Sequence, residues 1–159
     1  MMKKMPWKTY LTGILIVEAV GALSGWLARD GFAYFTSQVQ QPPLSPPPWL
    51  FPVVWGILYA LMGISAARVF LEPQSASRKA GLNLFVSQLI LNFFWTLIFF
   101  NAQAYGFAFL WILLLWVLVL AMILTFRKVD TLSAWLQIPY LLWLTFAAYL
   151  NFGVWMLNG

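Results

Sequence analysis

Polar positions in this chain retreat to the ends of five long apolar runs. Runs of about 20 residues with almost no charge are long enough to cross a hydrocarbon layer as helices. The pattern predicts spans at Thr9–Ala28, Pro52–Leu71, Ala80–Phe100, Ala104–Phe126 and Ser133–Leu157. Three connections, Glu72–Lys79, Asn101–Gln103 and Arg127–Leu132, are short and force antiparallel neighbours. The expected fold is an all-α membrane protein, a single up-down bundle of five transmembrane helices over residues 1–159. No internal repeat is visible in the sequence, which argues against the duplicated architecture of many secondary transporters.

The remaining connection, Arg29–Phe51, is long, and its second half reads QQPPLSPPP before running into WLFPVVW. Proline lacks the N–H that a helix interior requires and pushes its predecessor out of the helical region. This stretch is expected to form a stiff, partly polyproline loop that caps the bundle and turns into helix near Phe51–Pro52. Pro139 falls several residues into the fifth run, where it should free a carbonyl near Trp135 and kink the backbone.

Residues three and four apart share a helix face. Trp55, Tyr59, Met62 and Ala66 form such a line on the second span. Gln88, Asn92, Trp95 and Phe99 form one on the third, and Tyr140, Trp143, Ala147, Leu150, Asn151 and Val154 one on the fifth. Amides facing lipid would lose their hydrogen bonds to water, so the three stripes should converge inside the bundle. Two readings of that interior stand open. Tryptophans and amides could line a ligand chamber, or the amides could be helix–helix glue. Trp7, Trp26, Trp49 and Trp135 need only the aromatic belt of a membrane interface. Trp111 and Trp116, five apart, fall on different faces, so one of them should touch lipid.

Composition narrows the chemistry. The chain is 63% hydrophobic and 8% charged, with neither cysteine nor histidine. Disulfides, thiolate catalysis, haem ligation by His or Cys and nearly all transition-metal sites are thereby excluded, and no cofactor is expected. The net charge of +5 is no nucleic-acid signal, because the charges sit at span ends. Lys3, Lys4, Lys8, Arg68, Arg78, Lys79, Arg127 and Lys128 share one side and Arg29 alone the other. The positive-inside rule puts the N-terminus in the cytoplasm, with the proline loop and C-terminus outside, as expected in a bacterial cytoplasmic membrane. The basic start, Met1–Lys8, leads into a full-length span with no A-x-A-like site, so no cleaved signal peptide is expected.

Three blocks resemble a known family. They are Pro46-Pro47-x-Trp49 with Trp55-Gly56-x-Leu58-Tyr59-x-x-Met62-Gly63; Gln88-Leu89-x-Leu91-Asn92-x-x-Trp95-x-x-Ile98-Phe99-Phe100; and Pro139-Tyr140-Leu141-x-Trp143-x-x-Phe146-Ala147-x-x-Leu150-Asn151. In this order, over nearly the whole chain, they resemble the translocator protein family: the tryptophan-rich sensory proteins of bacteria and the mitochondrial peripheral benzodiazepine receptor. The resemblance implies a five-helix bundle, commonly a homodimer, with a site closed by the first connection. It implies binding of protoporphyrin IX and other tetrapyrroles. In animal members cholesterol and benzodiazepine or isoquinoline ligands are added, and an outer membrane is an alternative location. Carried over by motif, the ligand-binding residues would be Pro47, Phe51, Trp55, Asn92, Trp95, Trp143, Ala147 and Leu150, with Phe107 and Leu114 on the fourth span. The matches to Trp55 and Trp143 are implicated in light-dependent porphyrin breakdown in some bacterial members. Departures are visible too. Leu44 replaces the family's tryptophan two before the proline pair, and Phe107 replaces one early in the fourth helix. The chain's end carries no basic residue to complete a sterol motif, so sterol transport is the least supported family activity.

The only acidic residues are Glu18, Asp30, Glu72 and Asp130, and they form no catalytic pair. Ordinary acid–base or hydrolytic catalysis is therefore not expected. What the indoles offer is stacking, with Asn92 supplying a directional hydrogen bond. The expected function is a tetrapyrrole-binding receptor or sensor, with a transporter and a light-dependent degrading protein as rivals. Glu18, near the middle of the first span, costs at least ~2.5 kcal/mol there if charged. It is either functional or a protonated carboxyl bonded to a neighbouring helix. Gly21 and Gly25 form a G-x-x-x-G whose expected use is close packing within the bundle.

Overall fold

The computed structural model describes residues 6–159; Lys3 and Lys4 of the charge pattern lie outside them. Seven helices follow one another: α1 Trp7–Leu27, α2 Arg29–Gln38, α3 Leu50–Phe70, α4 Ala76–Thr96, α5 Tyr105–Val129, α6 Thr131–Leu136 and α7 Ile138–Asn158. Five stretches are long and apolar enough to cross a membrane: α1, α3, α4 with its terminal extension, α5, and α6–α7 together. The protein is an all-α, up-down five-span bundle, and large apolar residues such as Leu15, Ile57, Leu110, Val117 and Leu142 point outward. In lipid that is the favourable side for them. Trp7, Trp26, Trp49 and Trp135 are each more than half exposed, as interface anchors would be.

Helix α1 lies along α3, α4 along α5, and α5 along α7. The first pair approaches backbone to backbone. A Cβ on Gly13 would stand 2.6 Å from the Gly63 carbonyl oxygen, and one on Gly63 would stand 2.6 Å from Ile14 Cα. Only glycine permits that crossing. One end of the bundle is tied by Arg68. Its guanidinium donates to Asp130 at 2.7 Å and to the Tyr10 hydroxyl at 3.3 Å, joining α1, α3 and the α5–α6 junction. Asp130 also caps α6 by accepting from the Ser133 backbone N–H.

Two expectations about local structure are corrected. The first connection is not all loop, since Arg29–Gln38 is helical. Phe32 and Phe35, one turn apart, bury their rings against Phe99 and Phe100, and that burial holds the short helix. Only Val39–Trp49 is non-helical, with turns at 43–44 and 48–49 and Leu44 at a left-handed φ of 71°, and α3 starts at Leu50 so that Pro52 sits in its first turn. The fifth span breaks rather than kinks. It stops at Gln137, and Pro139 stands in the first turn of a new helix, where its missing N–H costs nothing. The third span ends in a wide π turn, Leu97–Asn101, which brings consecutive Phe99 and Phe100 both inward.

Candidate ligand site

The three inward stripes meet, but they meet as a solid polar seam. The Tyr59 hydroxyl donates to Asn92 Oδ1 at 3.1 Å, and Asn92 Nδ2 donates to the Tyr140 oxygen at 2.7 Å. Tyr140 in turn donates to Gln88 Oε1 at 2.7 Å. One turn further, Trp95 Nε1 donates to Asn151 Oδ1 at 3.1 Å, and Asn151 Nδ2 donates to the Tyr105 carbonyl at 2.9 Å. All these side chains are buried. A buried amide with its partners supplied gains little from a ligand and loses a bond by meeting one. Asn92 is thus engaged by Tyr59 and Tyr140 as helix–helix glue.

The open space lies beside this seam. A cavity of about 490 Å³, not fully enclosed, sits between α1, the start of α2, α3 and the end of α4. Its aromatic wall is Phe51, Trp55, Tyr59, Trp95 and Phe100. Trp55 and Tyr59 are stacked at 5.4 Å with planes 29° apart, which presents one broad apolar surface. The facing wall is α1, where Glu18, Gly21, Gly25 and Ala28 recur at three- and four-residue spacing. A Cβ placed on Gly25 or on Gly56 would meet nothing within 4 Å, so both glycines border empty space. Gly21 differs, because Tyr59 fills the place of its missing Cβ. Of the G-x-x-x-G pair, only Gly21 is used for packing.

A second void, about 30 Å³, lies under the proline collar. It touches Phe51, Trp55 and Trp95 on one side and Trp143, Ala147 and Leu150 on the other. That volume holds about one water molecule and no organic ligand. The Trp143 ring closes it, standing edge-on to Phe51 at 6.2 Å and to Trp55 at 6.4 Å. The buried Trp143 Nε1–H has no acceptor among the described residues.

The residues expected from sequence therefore divide. Phe51, Trp55 and Trp95 border both spaces, while Trp143, Ala147 and Leu150 border only the small one. Pro47 is exposed on the collar and borders neither. Phe107 and Leu114 are 56% and 51% exposed on the outer side of α5 and border neither space. The buried face of α5 is instead the line Ala108, Ile112, Leu115 and Val119, which packs into the bundle. Trp111 and Trp116 are half-buried, and their N–H groups donate to the Leu91 carbonyl and the Thr145 hydroxyl. The small-residue wall of α1 went unrecognised, although its periodicity with Glu18 was legible. Phe32 and Phe100 went unrecognised because α2 and the π turn carry no strong local signal.

Five apolar spans with an aromatic, half-open chamber among them define an integral membrane protein. The TspO/MBR family model matches residues 13–156, and the chain belongs to that family. It is 43% identical over 141 residues to protein CrtK of Rhodobacter capsulatus, covering 88% of this chain and 87% of that one. It is 36% identical over 157 residues to the translocator protein of Ovis aries, covering 96% and 92%. It is 33% identical over 154 residues to the tryptophan-rich sensory protein of Cereibacter sphaeroides, covering 97% and 94%.

Proposed function

We propose that this protein is an integral membrane receptor or sensor for protoporphyrin IX or a related tetrapyrrole, held in the cavity between α1, α3 and α4. The observation that carries the reading is the stacked Trp55–Tyr59 surface bordering about 490 Å³ of space. Cavities of a few hundred Å³ with mainly aromatic walls suit ligands of this size. Indole and phenol faces bind a macrocycle through dispersion and offset stacking. Phe51 and Trp95 flank that surface. Trp143, Ala147 and Leu150 form a reserve behind it, available if Phe51 and Trp143 swing apart. Smaller flat heterocycles of the benzodiazepine or isoquinoline type fit the same walls. We assign the N-terminus to the cytoplasm of a bacterial cell and a homodimer as the working unit, on the charge distribution and the family resemblance.

The test is a titration in lipid nanodiscs. Protoporphyrin IX should quench the intrinsic tryptophan fluorescence saturably, and Trp55→Leu should weaken the affinity about tenfold, the loss of one stacked ring in a dry site. Unsaturable quenching that is identical in the variant would refute the proposal.

A second reading, light-dependent porphyrin breakdown, is favoured by the edge-on Trp55–Trp143 pair at 6.4 Å. An excited macrocycle beside Trp55 could exchange an electron with either indole. Under illumination this reading expects consumption of bound porphyrin that Trp143→Phe abolishes while binding persists. Porphyrin that survives illumination unchanged rules it out. Directional flux in proteoliposomes is the corresponding requirement of a transporter.

A further inference from the structure

Glu18 lies near the middle of α1, on the face that borders the large cavity. A carboxylate at this depth needs a partner, either a charge or several donors. Among the described residues none supplies one. The only salt bridge among them joins Arg68 to Asp130, and none of their side-chain or backbone N–H groups donates to Glu18. The described residues therefore supply no donor to a Glu18 carboxylate. The amides of Asn92 and Asn151 are committed to Tyr59, Tyr140, Trp95 and Tyr105, and Gln88 Nε2 and the Gln137 amide are buried without a partner among the described residues. Two other titratable groups face the same space. Tyr59 spends its hydroxyl proton on Asn92, and Arg29 folds back over the Trp26 ring at 4.2 Å and donates to the Trp26 carbonyl. Arg29 is also 11 residues further along the chain from Glu18, roughly 16 Å by helical rise.

We infer that the cavity is a binding site for lipophilic aromatic amines, with Glu18 as the residue that selects them. Three features of the site fit such a molecule. The carboxyl accepts an N–H or N⁺–H, forming a charge-assisted hydrogen bond in a dry setting. Next to it, the stacked Trp55 and Tyr59 rings offer their electron-rich faces to a cation and to a flat aromatic body. Between the two walls, Gly25 on α1 and Gly56 on α3 leave clear width for a planar ring system. A metal ion is a poor match, because no cluster of three acidic, His or Cys side chains exists among the described residues. Wherever the shared proton rests, on nitrogen or on carboxyl oxygen, the same N–H–O contact is made and no net charge is left in the span. The inference uses the chamber assigned above to tetrapyrroles but does not depend on tetrapyrroles binding there.

The experiment uses the full chain in nanodiscs of zwitterionic lipid, with 9-aminoacridine as the cationic probe and anthracene as its uncharged counterpart of similar size. Native protein should bind both saturably, and the amine more tightly. Glu18→Gln keeps the shape and removes the acid; it should weaken 9-aminoacridine by about tenfold or more and leave anthracene within about twofold. Gly25→Leu projects into open space without a clash and should weaken both probes. Equal affinity of Glu18→Gln and native protein for 9-aminoacridine overturns the inference, as does an absence of saturable amine binding. Protoporphyrin quenching measured on the same samples separates the two readings. Quenching retained without amine binding strikes the amine site alone, and amine binding retained without quenching strikes the tetrapyrrole reading alone.

Discussion

Asn92 shows how much a residue's role depends on its partners as well as its place. Periodicity put it inside the bundle, and it is buried there, but both halves of its amide are engaged by Tyr59 and Tyr140. Whether an inward amide faces a ligand or a tyrosine depends on which rotamers pack, and helical periodicity carries no information on that. Asn92→Leu should therefore act on stability. It leaves two buried hydroxyls short of a partner and should cost about 1–3 kcal/mol, read as a lower thermal midpoint in detergent, with porphyrin affinity changed less than by Trp55→Leu. Asp130 supports a second prediction at this scale. The hydrogen bond from Arg68 pulls its carboxyl below the usual range; burial opposes the shift and the Ser133 contacts reinforce it. A carboxyl whose pKa is depressed by folding stabilises the fold above its unfolded pKa of about 4, and the contribution is lost as pH falls through the lower folded value. The thermal midpoint of Asp130→Asn should thus lie below that of the native protein at pH 7, and the gap should close as the pH is taken below about 4. A gap independent of pH would contradict the ion-pair account.

Among the elements, the long helices were legible from apolar run length, and their ends needed only small adjustment. The elements that were not legible are those whose structure comes from contacts distant in sequence. The helix α2 exists because Phe32 and Phe35 dock on Phe99 and Phe100, about 65 residues away in sequence. The break at Gln137 turned on whether Pro139 would be accommodated as an interior kink or as a new first turn, and both satisfy the local rule. The α1–α3 crossing yields a prediction at this scale. Gly63→Ala would drive a methyl into the Ile14 backbone, which cannot yield as a side-chain tip can. It should destabilise by about 1–3 kcal/mol. Gly25→Ala, bordering open space, should be neutral or slightly stabilising through helix propensity. Equal thermal midpoints for the two variants would mean that α1 does not lie against α3 as described.

For the whole molecule, the bundle has a filled, hydrogen-bonded middle and keeps its free volume to one side, against α1. Four of its five spans are tied together by the tyrosine–amide seam or by packing directly around it, whereas α1 is held chiefly by α3 and contributes few buried side chains. That asymmetry sets the free volume against the span with the fewest buried side chains. The three stripes read from sequence were sufficient to find the right bundle interior, and the aromatic surface of Trp55 and Trp95 belongs to them. They could not reveal which side of that surface stays empty, because small residues such as Gly25 and Gly56 mark space only once their surroundings are known. The central claim, that a flat ligand occupies the space between α1, α3 and α4, is tested most directly by Gly56→Leu. This change extends an apolar side chain into the cavity from a position where nothing stands in its way. Titrated with protoporphyrin IX in nanodiscs, the variant should keep its native thermal midpoint and lose saturable tryptophan quenching. Quenching as tight as that of the native protein would place the ligand elsewhere and contradict the account.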